Sequence, residues 1–365
     1  MTSFRPADAR ELEVWDDLTV HVGGGHVFQS RAWAEHRRRT GWNPAFLIGD
    51  DGSATLALER RWPILGTGSW YLPRGPIPTG DVGAMAARLG GITTWLAGRG
   101  ADVVASDTEV PAGIGYEAAL ADLGFRAIDE IQPSRHRLRI GLGHGVDEPG
   151  VLAGMAKATR QRIARAERDG TIVVRHDLRV RGQGPGSGFV APDEALGVAL
   201  GRFFDLLLET GERRRFALGP RASFLDWWRA AHDSGLVVHL EARDRSGEPL
   251  AGLLVHRHGG RLSTAYSADH AATRRDHPGT FHLLRWRAIQ LAIREGCAEM
   301  DLGGVDVAGA RDEPEPGEPM YGLYEHKRSF GAEWVAQVGA HERVLSRWRY
   351  RAGRALSGVR RVVRR

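Results

Sequence analysis

Of the 50 basic residues in this chain only two are lysines, Lys157 and Lys327. Arginine fills nearly every position where a surface charge would serve, so a retained amine either marks a place where a compact three-donor ammonium is needed or is an accident of composition. Lys327 stands in an aromatic run, YGLYEHKRSFG at 321–331, and is the first candidate for chemistry. The other reactive types offer less. No Ser-His-Asp arrangement is evident, and the single cysteine, Cys297, has no motif around it. Asp269, Asp301 and Asp306 lack the spacing of a metal-ligand set, so no metal is expected. The stretch RGQGPGSG at 181–188 formally reads Arg-x-x-Gly-x-Gly, a coenzyme A pyrophosphate loop. A phosphate loop must run from a strand straight into a helix, whereas Pro185, more loop and Pro192 follow here, so a surface linker is the expectation.

The elements that must position Lys327 read clearly in the second half. LVVHLEAR (236–243), LAGLLVHRH (250–258) and RLSTAYSA (261–268) are strands joined by a DRSGEP turn and a Gly259-Gly260 turn. FHLLRWRAIQLAIREG (281–296) puts Phe281, Leu284, Ala288, Leu291 and Ala292 on one helical face, Gly296 stops it, and the strand AEMDLGG follows. The first half repeats this order with AFLIG, TLALERRWPIL, SWYLPRGP, a helix near 82–98 and ADVVAS (101–106). The duplication predicts an α+β chain of two similar domains, each a mixed sheet with flanking helices. YEAALADLGFRAI and RHRLRI (135–140) are expected to close the first sheet, as in many GNAT-type acyltransferase domains. The domains are then 1–148, completed by the segment from about 335 to 365, and 149–334, with no heptad run able to form a coiled-coil arm.

At 365 residues the chain exceeds one typical core. One cysteine excludes an internal disulfide and fits a reducing compartment. The N-terminal stretch has acidic residues where a signal peptide needs an apolar core, and no apolar run approaches a membrane span. A cytoplasmic protein is expected. Net charge is +5, but from Arg343 onward nine arginines occur with no acidic residue after Glu342. Val344, Leu345, Trp348, Leu356, Val359, Val362 and Val363 interleave with them, the pattern of a basic amphipathic helix that meets anionic lipid or RNA, or of a solvated terminal helix.

Seven segments in order resemble the Fem family of nonribosomal aminoacyltransferases: FQSRAWAEHRRRTGW (28–42), YLPRGP (71–76), ATRQRIARAERDG (158–170), ETGERRRF (209–216), AYSAD (265–269), MDLGGVD (300–306) and YEHKRSFG (324–331). The resemblance covers nearly the whole chain and implies two tandem GNAT-like domains. It also implies transfer of an amino acid from aminoacyl-tRNA, as co-substrate, to the amino group of a peptidoglycan precursor peptide, lipid-linked or UDP-linked, with no further cofactor. On this resemblance Lys327 takes the place of a lysine that stabilises the developing oxyanion. The physics agrees: an amine attacking the activated ester creates a tetrahedral anion that a nearby ammonium stabilises.

The same resemblance places Arg37 and Arg213 on the acceptor's diphosphate, where two cations can each give charge-assisted hydrogen bonds. Both lie in arginine runs, so their register is open, and solvated basic faces are the alternative. Tyr266 corresponds to a tyrosine lining the acceptor cleft, and Tyr71 with Arg74 would shape that cleft from the first domain; half-buried packing is the bland reading of each tyrosine. The family often carries an aromatic residue before its lysine, where this chain has His326. His326 and Tyr324 are auxiliary candidates; His326 either tunes Lys327, accepts the proton of the incoming amine, or is simply exposed. Lys327 is expected to serve a wet cleft shared with Tyr266 and Arg37. If tRNA binds, ATRQRIARAER and the Arg-rich tail are the phosphate contacts, and the tail also suits peripheral membrane contact. Two other functions stay open: N-acylation of a small peptide or amino sugar on the same fold, and a noncatalytic RNA- or membrane-binding scaffold.

Overall fold

The computed structural model describes residues 2–66, 68–132, 134–177, 188–214, 216–305 and 312–363. Most of RGQGPGSG, together with Arg215 and Asp306, lies outside them. The chain divides into two units, one holding residues up to His136 and from Val335 onward, the other Arg137–Val305 and Pro314–Trp334.

The first unit opens with β1 (Phe4–Pro6), α1 (Ala9–Glu13), α2 (Trp15–Thr19) and α3 (Arg31–Arg39), followed by β2 (Asn43–Gly49), β3 (Ala54–Arg61) and β4 (Gly68–Leu72). Strands β1 to β4 pair antiparallel in sequence order; α1 to α3 intervene between β1 and β2, and the short polar turn at 50–53 joins β2 to β3. Helix α4 (Val82–Ala97), capped by the Asp81 carboxylate on Ala84 N, then crosses over so that β5 (Ala101–Ser106) returns parallel to β4. Helix α5 (Tyr116–Asp122) and the short β6 (Arg126–Ala127) follow. The core of this unit gathers Leu47, Trp70, Leu72, Leu89, Ile92, Leu96 and Val104.

The second unit begins earlier than expected. Strand β7 (Arg137–Gly141) does not close the first sheet; it pairs antiparallel with a later strand, Glu299–Asp301, so the boundary falls at His136 rather than near 148. The reason is side-chain burial: Leu138 and Ile140 join the second core. Then come α6 (Glu148–Gly154), α7 (Lys157–Arg168), β8 (Ile172–His176), α8 (Leu196–Arg214) and α9 (Arg221–Asp233). The meander β9 (Val237–Arg243), β10 (Pro249–His258) and β11 (Arg261–Asp269) is antiparallel. After α10 (Thr273–Asp276), helix α11 (Thr280–Arg294) carries the chain to β12 (Glu299–Asp301), parallel to β11. Helix α12 (Tyr321–Arg328) and β13 (Glu333–Val335) end the unit, after which β14 (His341–Val344) and α13 (Arg347–Val363) belong to the first.

The two sheets are topological copies. One runs β1-β2-β3-β4-β5-β14-β6 and the other, read from its far edge, β8-β9-β10-β11-β12-β7-β13. The sixth strand differs in origin: β14, from the end of the chain, pairs antiparallel with β5, whereas β7, from the middle, pairs antiparallel with β12. In the second sheet α7 and α11 contribute to one core, while the aromatic residues of α8 and α9 meet the other face. Every residue of β9 is buried, including His239 and Glu241. A strand covered on both faces leaves its polar side chains no route to water.

Candidate functional site

Arg37, Tyr71 and Arg74 lie in the first unit; Arg213, Tyr266, Tyr324, His326 and Lys327 lie in the second. Around Lys327 the geometry starts with a strand divergence. Strands β11 and β12 pair only from Arg261 with Glu299 to Ser263 with Asp301, after which β11 continues to Asp269 without its neighbour. At that point the β10–β11 ladder carries a bulge, Leu254 facing Tyr266 but Val255 facing Thr264. The extra residue reverses the alternation of side chains. Leu262 therefore points into the core with Leu283 and Leu284, while Tyr266 turns to Phe224 and Trp228 with ring centroids 5.6 Å from each. The Thr264 hydroxyl beside the bulge is buried and without a hydrogen-bond partner.

At the end of β12 the Asp301 carboxylate accepts from Gly303 N at 2.7 Å and from Arg137 Nε at 2.8 Å. Asp301 thus shapes a turn. Gly303 has φ +82°, and a Cβ there would lie 3.2 Å from Lys327 Nζ and 3.4 Å from the Thr264 carbonyl. A residue larger than glycine would be strained and would crowd the amine. Lys327 Nζ donates to the Gly304 carbonyl at 2.9 Å. Lysine, bulge and diverging strands are thus assembled in one place by MDLGG and YEHKRSFG.

Lys327 is 5% exposed, which corrects the expectation of a wet setting. Residues three apart share a face of α12, so Tyr324 and Lys327 are both buried and the last turn is basic. Tyr324 packs against Tyr321 and Trp334, and its hydroxyl accepts from Arg328 Nη1 at 3.1 Å, a structural position. His326 is half-buried, not fully exposed, with its ring 4.6 Å from that of His282 and 5.3 Å from Phe330. Burial, and then the charge of Arg285, press its pKa down to about 2. Such an imidazole stays neutral and is a poor proton acceptor near neutral pH.

Arg285 itself was not singled out in the sequence, although it stands four residues after Phe281 and three before Ala288, in the apolar stripe of α11. It is completely buried, lies over the rings of Phe281 (5.5 Å) and Phe330 (5.9 Å), and has no hydrogen-bond partner at Nε or Nη2. Burial lowers its pKa to about 10, so it remains a cation at neutral pH. Among the described residues no carboxylate pairs with it, and a buried guanidinium without such a partner leaves a positive potential in a low-dielectric surrounding. The site can therefore favour an oxygen that becomes anionic.

In the first unit, the run Arg37–Arg39 resolves by direction. Arg38 and Arg39 pair with Glu35 on the surface, whereas Arg37 turns inward between Trp33 (5.4 Å) and Trp42 (4.9 Å). Arg60 approaches the same Trp42 ring at 5.5 Å, and burial lowers the Arg37 pKa. Tyr71 and Arg74 are each 6% exposed and are tied to one acid, Asp107. Tyr71 Oη donates to it at 2.8 Å and Arg74 N at 2.7 Å. Burial raises the Asp107 pKa in spite of Arg74. In the second unit, Arg213 Nη2 donates to Asp269 Oδ1 at 2.6 Å and Nη1 to Glu209 at 3.1 Å. It therefore carries ion pairs of its own.

Among the described residues, the one group whose ligand atoms converge as for a metal is His176, Glu194 and Glu241, within 4.8 Å of one another. Both carboxylates already accept from Arg202 and Arg243. Burial holds His176 at about pKa 4. The group reads as an ion-pair lattice behind β9.

Residues 155–328 match the family model of the acetyltransferase (GNAT) domain. No curated protein sequence matches the chain. Among solved structures the chain is similar to FemX, with a TM-score of 0.76 at 18% identity over 96% of this chain and 99% of that one. It is also similar to L-PGS from Bacillus licheniformis, with a TM-score of 0.53 at 13% identity over 98% and 97%. The C-terminal domain of a putative lysylphosphatidylglycerol synthetase from Agrobacterium fabrum matches with a TM-score of 0.50 at 16% identity over 96% and 95%. The chain has a Fem-like fold of two tandem GNAT-like halves.

Proposed function

We propose that this protein is an acyltransferase that moves an amino acid from aminoacyl-tRNA to the amino group of a peptidoglycan precursor peptide. The observation that carries the reading is the placement of Lys327, held by Gly304 where β11 and β12 part and beside the β11 bulge, with its neighbour His326 under the charges of both Arg285 and Lys327. Transfer from an activated ester to an amine needs a cation at the carbonyl oxygen more than it needs a covalent nucleophile. The likeness of the fold to FemX and to L-PGS supports this class of reaction. Arg37, set between two indoles with Arg60 alongside, is the cation best placed in the first unit for an anionic part of the acceptor.

The test incubates the protein with a mixed set of charged tRNAs and both lipid-linked and UDP-linked muropeptides, and reads a mass increase of one amino acid on the peptide. Parallel reactions replace charged tRNA with an acyl-CoA. Lys327→Met is expected to slow single-turnover transfer roughly 100- to 1,000-fold with a smaller change in acceptor binding. Transfer at the unaltered rate by that variant removes the role given to Lys327. Transfer from acyl-CoA alone replaces the donor.

A further inference from the structure

The C-terminal helix α13 carries an apolar stripe on the side turned away from its contacts with the first unit. Its inner side is fixed by three contacts: Tyr350 Oη donates to Glu342 at 2.9 Å, Arg349 lies 3.6 Å from the buried Asp102, and Gly353 is buried so closely on Trp62 that a Cβ would come within 2.3 Å of the indole. At 100° per residue these positions occupy one flank of the helix. Trp348, Ala352 and Ala355, spaced i, i+4 and i+7, fall on the other. Trp348 is 65% exposed and Ala355 is exposed. In sequence the same spacing continues through Val359 and Val362. Exposed arginines, Arg347 and Arg351, border the stripe, and no acidic residue follows Glu342.

We propose that α13 is an interfacial anchor that lies in the plane of an anionic lipid bilayer, with Trp348 and the small apolar residues in the headgroup boundary and the arginines on lipid phosphates. An RNA partner would use the arginines and leave the Trp348 stripe facing water. A bilayer uses both features together: an indole suits the boundary between headgroup and chain, and guanidinium groups add attraction to anionic lipid. The docking contacts on Asp102, Trp62 and Glu342 leave that stripe free to meet a flat surface. The proposal does not rest on the acyl-transfer reading, because lipid binding is read without donor or acceptor.

The experiment sediments the full chain with vesicles of phosphatidylcholine alone and of phosphatidylcholine with about one-third phosphatidylglycerol. Retention is expected on the anionic vesicles, weaker at higher salt and much weaker on neutral ones. Trp348→Ser is expected to lower partitioning about tenfold or more. Arg347→Gln and Arg351→Gln are each expected to lower it about fivefold on anionic vesicles. All three positions are exposed, and unchanged melting confirms that the variants fold. Absence of retention, equal retention on neutral vesicles, or full retention of Trp348→Ser overturns the proposal. So does binding to tRNA, unaffected by Trp348→Ser, in a protein that ignores vesicles, since the helix then serves RNA.

Discussion

At the scale of single residues, the two buried cations Lys327 and Arg285 separate function from stability. Arg285 is buried with two nitrogen atoms unpartnered, and its pKa falls to about 10 through desolvation alone. Keeping such a charge inside costs free energy that an apolar side chain of similar length does not. Arg285→Met is therefore expected to raise stability by about 1–3 kcal/mol, read as a higher denaturant midpoint, while slowing transfer. An unchanged rate would mean that the guanidinium is only a core filler stacked on Phe281 and Phe330. Lys327→Arg is expected to restore only part of the rate lost in Lys327→Met, because a planar guanidinium cannot occupy the point where Nζ meets Gly304. Single-turnover transfer compares the two variants directly. Tyr71 and Arg74 call for a different test in mind, since both are bound to Asp107 and their loss acts first on folding.

At the scale of elements, the second sheet is the acid-sensitive part. Strands β8, β9 and β10 bury His176, His239 and His256, and their pKa values all fall, to about 4 for His176 and about 3 for His256. The largest cause in each is burial. A histidine depressed in the folded state binds its proton more readily when unfolded, so it leaves stability intact above pH ~6.5 and removes it as pH falls toward the folded value. At about pH 5, His176 and His256 together cost on the order of 4 kcal/mol, from roughly 1.4 kcal/mol per pKa unit for each. In the first unit the buried Asp107 has the opposite sign, since its raised pKa favours the folded form as pH falls. Calorimetry from about pH 7.5 down to about pH 5 is expected to show the second unit melting earlier and separately. A single transition with no acid shift would contradict this.

For the whole molecule, the last part of the chain is a structural requirement of the first unit. Strand β14 lies between β5 and β6 and pairs with both. Its removal would expose an edge of β5 and leave β6 without a neighbour. Truncation after Ser346, which keeps β14 and removes α13, is expected to preserve the first sheet. Truncation after Ala340 is expected to unfold it, with amides of Val103 to Ser106 losing protection from hydrogen exchange. Equal protection in the two truncated proteins would show that β14 is dispensable. Among the described residues no helix is long and apolar enough to cross a membrane.

The amino-acid sequence by itself determined the duplicated plan, because two kinds of local signal repeat: polar turns between apolar strands and one amphipathic helix before a parallel return. It also singled out Lys327, since a lysine in an arginine-rich chain is visible without coordinates. It misplaced β7, because alternation in RHRLRI defines a strand but not the sheet that receives it; Leu138 and Ile140 found the larger second core. The environment of Lys327 was equally out of reach. Whether an ammonium is wet or buried depends on Gly303, Gly304 and Thr264, which come from other elements. The choice of Arg37 over Arg38 and Arg39 came from Trp33 and Trp42, and the arrest of Tyr71 and Arg74 came from Asp107 more than thirty residues away. Periodicity and turn chemistry are properties of neighbours along the chain, so sequence carries them. The burial of Lys327 and the anchoring of Tyr71 and Arg74 are set by segments distant along the chain, and only the tertiary structure decided them.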